Sequence, residues 1–476
     1  MIFVALQIKT IKGKKYIYDV KSYWDKETKK YKKETIYMGR CLDEKTKAYA
    51  PKKGIASVSE CKEILSYGDA KLLHESLEKS ELSKAISEIL PEEQDTLKAL
   101  IFYKIIIGEA NRHASTWLDG SYAKILFPNA SLESQRISEF LSRLGDEKIQ
   151  KKFFKTYLEE IAEVSNDVVI DSTGLPNEID VPLTEYGSHG GDIQNESRMI
   201  MVIDRNTHMP LYFRLVAGNI VDVSTLTTTF SLMNKFGLAP QMVLMDAGYY
   251  SEKNIRSLFK SKTSFLTRLP AGRKLYKDLI EQTNLELESS QNAVVYNKRT
   301  LFIQKIKTEI CGYVGFAYIC LDPKSKGQQL DKFIKDAKED KLSNEEIAKK
   351  MPCIGKFILV SDKEIVPDEL LPLYYTRQIA ENTFSFAKTN LNLLPIRVHS
   401  IKNMRGYIFL SYLALLISIE ISNKLKGVST LQEALSLAAN NYCEVFDNDV
   451  IPLEANRQLK EIYNLLNIMV VNSSGE

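Results

Sequence analysis

At 476 residues, with 44% apolar, 26% charged and 9% aromatic content, the chain is longer than one average domain and has an ordinary folded composition, which excludes disordered, collagenous and disulfide-stapled classes. The formal net charge is only +3, yet residues 1–54 carry 15 Lys and Arg against 6 Asp and Glu, so the basic charge is gathered at one end. The longest apolar run, Tyr407 to Ile419, covers 13 residues, short of the roughly 20 that a bilayer span requires, and no membrane partner is expected.

That basic segment is the first predicted element. KKYIYDVKSYW and KKETIYMG alternate around the polar stretch Asp25 to Lys33, so residues 1–54 read as a two- or three-stranded ribbon. A basic ribbon rich in aromatics suits a phosphate backbone. The opening MIFVALQIKTIKGKK places its lysines after the apolar stretch and has no small-residue cleavage site, unlike a secretory signal. The six cysteines (Cys41, Cys61, Cys311, Cys320, Cys353, Cys443) form no CxxC pair and are expected to be reduced thiols in an intracellular protein. Over residues 55–165 apolar positions return every three or four residues, as in LLHESLEKSELSKAISEIL, and predict a helical domain.

The pattern changes at Asn166. NDVVIDST, RMIMVIDRN and MPLYFRLVAG predict three meandering strands, and Asn219 and Asp222 are expected to cap a helix running to Lys235. QMVLMDAG, SEKNIRSLFKS and TSFLTRLP then predict strand, helix and strand. The order βββαβαβ implies a mixed sheet with helices on its faces, because a parallel crossover needs a helix and a hairpin does not. Residues 166–272 thus read as the first part of a core and residues 273–352 as an insertion, β-rich and then helical. Residues 353–425 return to the core with the strand KFILVSD, a helix from Pro367 to Lys388 and a buried helix from Met404 to Ile421. Residues 426–476 read as a C-terminal helical region.

Asp171 closes VVID and Asp246 closes VLMD, each an acid at the end of an apolar strand. Alone, such an acid is usually a turn or helix cap. If the two strands are neighbours, the carboxylates face each other and repel unless a divalent cation lies between them. On the later helix, Tyr374, Arg377, Glu381 and Lys388 are offset by 0, 3, 7 and 14 residues, which at about 100° per residue places them in one stripe about 60° wide. Ile379 and Phe386 fall on the opposite side and are expected to pack on the sheet. Asp167, Asp192 and Asp204 read as strand-start and turn residues. The GSHGG at Gly187 to Gly191 lacks the spacing of a phosphate-binding loop and reads as a flexible turn. The five histidines lie in separate segments, and none pairs as a metal ligand.

The spacing Y-x2-R-x3-E-x6-K, preceded by VVIDSTG and VLMDAGYYS, resembles the DDE transposases of bacterial insertion sequences, specifically the insertion sequence four family with its Tyr-Arg-Glu-Lys signature. The likeness extends to SYWDKETKKYKK, SQRISEFLSRL, AGNIVDVSTL and RVHSIKNMRGYIFLSYLALLI. It implies an α/β (α+β multidomain) protein: a ribonuclease H-like mixed sheet with flanking helices, a β-rich insertion before the last catalytic helix, an N-terminal basic β-ribbon and a helical domain that contact DNA.

By this resemblance Asp171, Asp246 and Glu381 are the catalytic, metal-binding acids, and they would hold two Mg²⁺ ions roughly 4 Å apart, with Mn²⁺ able to substitute. Tyr374, Arg377 and Lys388 would be DNA-binding residues, the two cations clamping phosphates; His399 and Arg405 would extend that basic edge by adjacency. The implied activity is Mg²⁺-dependent cleavage at insertion-sequence ends and strand transfer into target DNA. The implied partner is double-stranded DNA bearing terminal inverted repeats, bound by a homodimer, and the implied location is the bacterial cytoplasm and nucleoid. Two other readings compete: a DNA-binding protein that keeps the fold without cutting, and a glycoside hydrolase built on a carboxylate pair. Arg377 and Lys388 beside Glu381 favour a phosphate over a neutral sugar.

Overall fold

The computed structural model describes residues 3–11, 14–25, 30–43, 48–51, 61–161, 167–187, 193–283, 285–339, 343–447 and 449–470. The chain divides into two compact units, residues 1–64 with 444–451, and residues 65–443 with 452–476.

In the first unit, alternation of apolar and charged residues produces an antiparallel meander of β1 (Phe3–Ile11), β2 (Lys14–Asp25), β3 (Lys30–Asp43) and β4 (Ala48–Pro51). Ile17 and Val20 of β2 are buried, while Lys9, Lys14, Lys15, Lys30, Lys32, Lys33 and Arg40 are exposed. The expected ribbon of two or three strands thus gains a fourth, short one.

After the strand β5 (Glu63–Ser66), the second unit continues through helices α1 (Gly68–Glu78), α2 (Leu82–Ser87), α3 (Gln94–Ile106), α4 (Ala114–Asp119), α5 (Ala123–Leu126), α6 (Ser134–Leu144) and α7 (Glu147–Glu160). In α6, Ile137, Phe140, Leu141 and Leu144 return at helical spacing and form its buried face. Asp146 caps α7 by accepting from the Lys148 amide.

The sheet follows: β6 (Asp167–Pro176), β7 (Glu185–Gly187), β8 (Gln194–Asp204), β9 (Pro210–Ala217), α8 (Leu226–Lys235), β10 (Met242–Met245), α9 (Glu252–Ser261) and β11 (Ser264–Arg268). The central order is β9-β8-β6-β10-β11, with β6, β8 and β9 antiparallel and β10 parallel to both β6 and β11. This is the ribonuclease H-like order, three meandering strands and then two crossover strands.

Next come α10 (Lys274–Gln282), β12 (Ala293–Tyr296), β13 (Arg299–Ile310), β14 (Tyr313–Leu321), α11 (Pro323–Glu339), α12 (Asn344–Lys350) and β15 (Lys356–Ser361). The inserted strands extend the same sheet, because β15 pairs antiparallel with both β14 and β11. Continuous burial of Ala317 to Leu321 and of Ile358 to Val360 explains why these strands sit inside a sheet and not at a free edge. The chain then forms α13 (Pro367–Tyr375), α14 (Gln378–Thr389), α15 (Ile401–Leu425), α16 (Leu431–Ala439), β16 (Tyr442–Val445), β17 (Val450–Pro452) and α17 (Arg457–Leu465). The region after residue 426, expected to be helical, therefore also contains two short strands; in β16, Cys443 and Val445 are the buried positions.

α15 is the core helix. By length and composition it could cross a bilayer, but 83% of its most apolar window is buried inside the protein, as expected for a helix that is apolar all round. Phe409 and Tyr412 of α15 pack with Phe153 and Phe154 of α7 and Phe213 of β9. The hydroxyls of Tyr157 and Tyr412 both donate to the Pro210 carbonyl, at 2.9 and 2.7 Å, which satisfies the polar end of each buried ring.

Candidate active site

β6 and β10 are neighbours in the sheet, with Met245 paired to Ile170, so the next residues, Asp246 and Asp171, lie side by side at about one interstrand spacing, ~4.8 Å. Asp246 stands at the end of β10, as its sequence suggested. Asp171 does not end its strand: β6 runs on to Pro176 because β8 continues the ladder from Ser172↔Ile200 to Pro176↔Glu196. Its side chain therefore projects from mid-strand, on the face covered by α14.

The helix expected from Pro367 to Lys388 is broken at Thr376 and Arg377 into α13 and α14. The Thr376 hydroxyl donates to the Leu373 carbonyl at 2.5 Å, and the Arg377 amide bonds Tyr374, three residues back, so the chain tightens locally. α14 buries Ala380, Thr383, Phe384 and Ala387. Ile379 and Phe386 are half-buried on one flank of that row instead of forming its centre, and Arg377, Glu381 and Lys388 occupy the other flank. The reason is size: the alanines let α14 approach β6 closely.

Arg377 joins two of the acids. Its Nη1 lies 3.3 Å from Asp171 Oδ2 and its Nη2 3.1 Å from Glu381 Oε1. Burial opposes the guanidinium charge, but Asp246, Tyr374, Asp171 and Glu381 outweigh it and raise the arginine's pKa further above its ordinary value. Asp171 is pushed up to about 6, first by burial and then by the charges of Asp246 and Asp222, against the lowering effects of the Ser172 amide and Arg377. Glu381 is more open, with 54% of its side chain exposed.

Lys388 donates to Thr173 Oγ1 at 2.7 Å and to the Gly174 carbonyl at 2.9 Å. It pins α14 to β6, and burial lowers its pKa. Tyr374 is buried beneath the site, its ring centroid 5.9 Å from the Arg377 guanidinium, and burial pushes its hydroxyl up to about 12. Of the two residues adjacent on the chain, Arg405 is paired to Glu147 at 2.7 Å. His399 lines an open cleft of about 930 Å³ together with Arg112, His113 and Arg397.

The turn acids behave as read. Asp167 pairs with Arg205 at 3.0 Å, and Asp204 accepts from the Asn206 and Thr207 amides. Asp192 and residues 188–191 of the glycine-rich turn lie outside the described residues. Asn219 and Asp222 are the exceptions: α8 starts after Thr225 without a side-chain cap, so neither caps it, and the Asp222 carboxylate instead accepts from Ser172 Oγ at 2.6 Å. The sequence offered one signal for it, the AGNIVDVSTL segment.

Among the described residues, no group of three or more His, Cys, Asp or Glu stands close enough to hold a metal ion. Arg377 supplies the positive charge between Asp171 and Glu381, so two carboxylates that would otherwise repel share one cation. The oxygen-only donor set of Asp171, Asp246 and Glu381 nevertheless fits the chemistry of a hard divalent cation.

The family described as "Transposase DDE domain" matches residues 164–417, which contain all three acids and the whole β6 to α15 arrangement except the last turns of α15. No curated protein matches the chain. Among solved structures, a piggyBac transposase synaptic complex with hairpin DNA is similar at 9% identity and a TM-score of 0.41, covering 86% of this chain and 87% of the other.

Proposed function

The chain belongs to the transposase DDE domain family, and from that premise we propose that it is a cut-and-paste transposase of the insertion sequence four type, which cleaves double-stranded DNA at its element's inverted repeats and joins the 3′ ends to target DNA. The carrying observation is the meeting of Asp171 and Asp246 on adjacent strands with Glu381 across one guanidinium. Two Mg²⁺ ions, or Mn²⁺ in their place, when held by Asp171, Asp246 and Glu381, would activate the attacking oxygen and stabilise the leaving one.

The protein's own part is positioning. Lys388 fixes α14 on β6 and so sets where Glu381 stands. Arg377, with carboxylates on both arms of its fork, is the group that can exchange a carboxylate for a phosphate of the DNA end. Tyr374 supports that guanidinium from below. Two DNA ends must be cut in concert, so the proposed working state is a homodimer on DNA; the proposed location, by the insertion-sequence resemblance alone, is the bacterial cytoplasm.

The test is divalent-ion-dependent cleavage of DNA carrying the element's ends. Salt-sensitive binding with no product under any divalent ion would return the protein to the silent DNA-binding class.

A pH dependence follows from Asp171. In the folded protein this acid holds its proton up to about pH 6, against an ordinary value of 3.8, and an incoming cation must displace that proton. Affinity of the DNA-free protein for Mg²⁺ or Mn²⁺ should therefore fall by up to about tenfold per pH unit below about pH 6 and level off above it. Calorimetric titration across that range measures it, and a flat profile would remove Asp171 from the ion site. The sign for stability is opposite to that for ion affinity: the folded state binds this proton more tightly than the unfolded chain, so a stabilising contribution present below about pH 4 is lost as pH rises through about 6.

The exposed lysines of β1 to β3 are assigned to the DNA backbone. Deleting residues 1–54 is expected to weaken binding of end DNA and to flatten the dependence of log affinity on log salt by about 0.9 for each phosphate that the ribbon neutralises. Unchanged affinity and slope in a filter-binding or anisotropy series would make the ribbon structural.

A further inference from the structure

We infer that Asp222 is a positioning residue that ties the Asp171 strand to the Asp246 turn; the inference rests on the transposase reading of those two acids. Successive residues of a strand face opposite ways, so while Asp171 meets α14, Ser172 points to the other side of the sheet. There its hydroxyl donates to Asp222 Oδ1 at 2.6 Å, while its amide donates to Asp171 Oδ1 at 2.9 Å. One residue thus grips Asp171 with its backbone and Asp222 with its side chain.

The other side of Asp222 meets the second acid's turn. A Cβ on Gly248, two residues after Asp246, would stand 3.2 Å from Asp222 Oδ2, so the bare glycine lets the turn close on the carboxylate. Asn254 of α9 fastens the two turns, donating through one amide nitrogen to the Val223 carbonyl at 2.8 Å and the Tyr249 carbonyl at 2.9 Å. Arg198 of β8 approaches Asp222 Oδ1 with Nη1 at 3.3 Å and lies 3.8 Å from Glu196. A carboxylate in this place does more than a helix cap: it fixes the spacing between the segments that present Asp171 and Asp246, on which any shared ion or phosphate depends.

The experiment compares Asp222→Ala, Asp222→Asn and Ser172→Ala with the parent, measuring single-turnover cleavage of bound end DNA, DNA affinity, and the thermal shift that Mn²⁺ causes in the DNA-free protein. Asp222→Ala and Ser172→Ala should each slow cleavage about 10–100-fold, the size of effect seen when a residue supporting an ion ligand is removed, with DNA affinity unchanged and the Mn²⁺ shift reduced. The double variant should be no slower than the slower single one, because both remove the same link. Asp222→Asn keeps an oxygen that accepts from Ser172 and should recover most of the rate. Asp222→Ala cutting at the parent rate overturns the inference, as does Asp222→Asn as slow as Asp222→Ala, or a double variant slowed by the product of the two singles. Cleavage that survives loss of the Asp246 carboxylate would instead sink the transposase reading itself.

Discussion

Asp246→Ala is expected to lower the single-turnover cleavage rate by at least about 10³-fold while leaving the protein folded and bound to DNA. The argument is one of charge. Asp246 contributes the only carboxylate at the end of β10, level with Asp171, and its negative charge is the leading favourable influence on Arg377 and a raising influence on Asp171. Its structural contacts run through the main chain: the Asp246 carbonyl accepts from the Tyr249 amide and from Thr267 Oγ1 at 3.1 Å each, and alanine keeps both. Removing the carboxylate relieves a repulsion, so the Asp171 pKa should drop from its value of about 6, but it also takes away a favourable influence on Arg377; the two oppose each other, and the melting temperature should change little. Loss of cleavage with unchanged melting and DNA affinity is the signature; a variant that still cuts with Mg²⁺ would remove Asp246 from the chemistry.

Asp171 and Asp246 stand out in the sequence because each follows a short apolar run, and the fold sets those two runs side by side, although Asp171 falls within its strand and not at its end. The strand order was legible from βββαβαβ and the need of a parallel crossover for a helix. The helix carrying Glu381 was only partly so. A wheel of about 100° per residue assumes an unbroken helix, and the tightening at Thr376 and Arg377 changes what Tyr374 faces, sending it under the site. Lys388 shows a second limit: spacing gave its side of the helix, but not that Thr173 and Gly174 of β6 would accept its hydrogen bonds. Asp222 was read as a cap because an acid before an apolar helix usually is one, and only the fold brings Ser172, fifty residues earlier, to its carboxylate.

Gly406→Ala is expected to destabilise the second unit by at least about 3 kcal/mol, beyond the usual 1–3 kcal/mol of overpacking, because the new atom meets backbone and not a movable side chain. A Cβ on Gly406 would stand 1.9 Å from the Leu141 carbonyl oxygen, and one on Gly145 would stand 2.0 Å from that of Lys402. α6 and α15 therefore cross with glycine against main chain on both sides. Restoring ordinary contact requires the helices to separate by over an ångström, which uncovers Ile137, Leu141 and Met404, all buried at 0 or 1% exposure. The control is the same substitution elsewhere: Gly327 lies in α11 with nothing within 4 Å of its Cβ position, so Gly327→Ala should stabilise by about 0.5–1 kcal/mol through helix propensity. Chemical denaturation of both variants decides it, since one type of change should move the midpoint in opposite directions; a Gly406→Ala midpoint at or above the parent's would mean that α6 and α15 do not meet this closely. The consequence reaches toward the site, because only residues 390–400 separate α15 from α14.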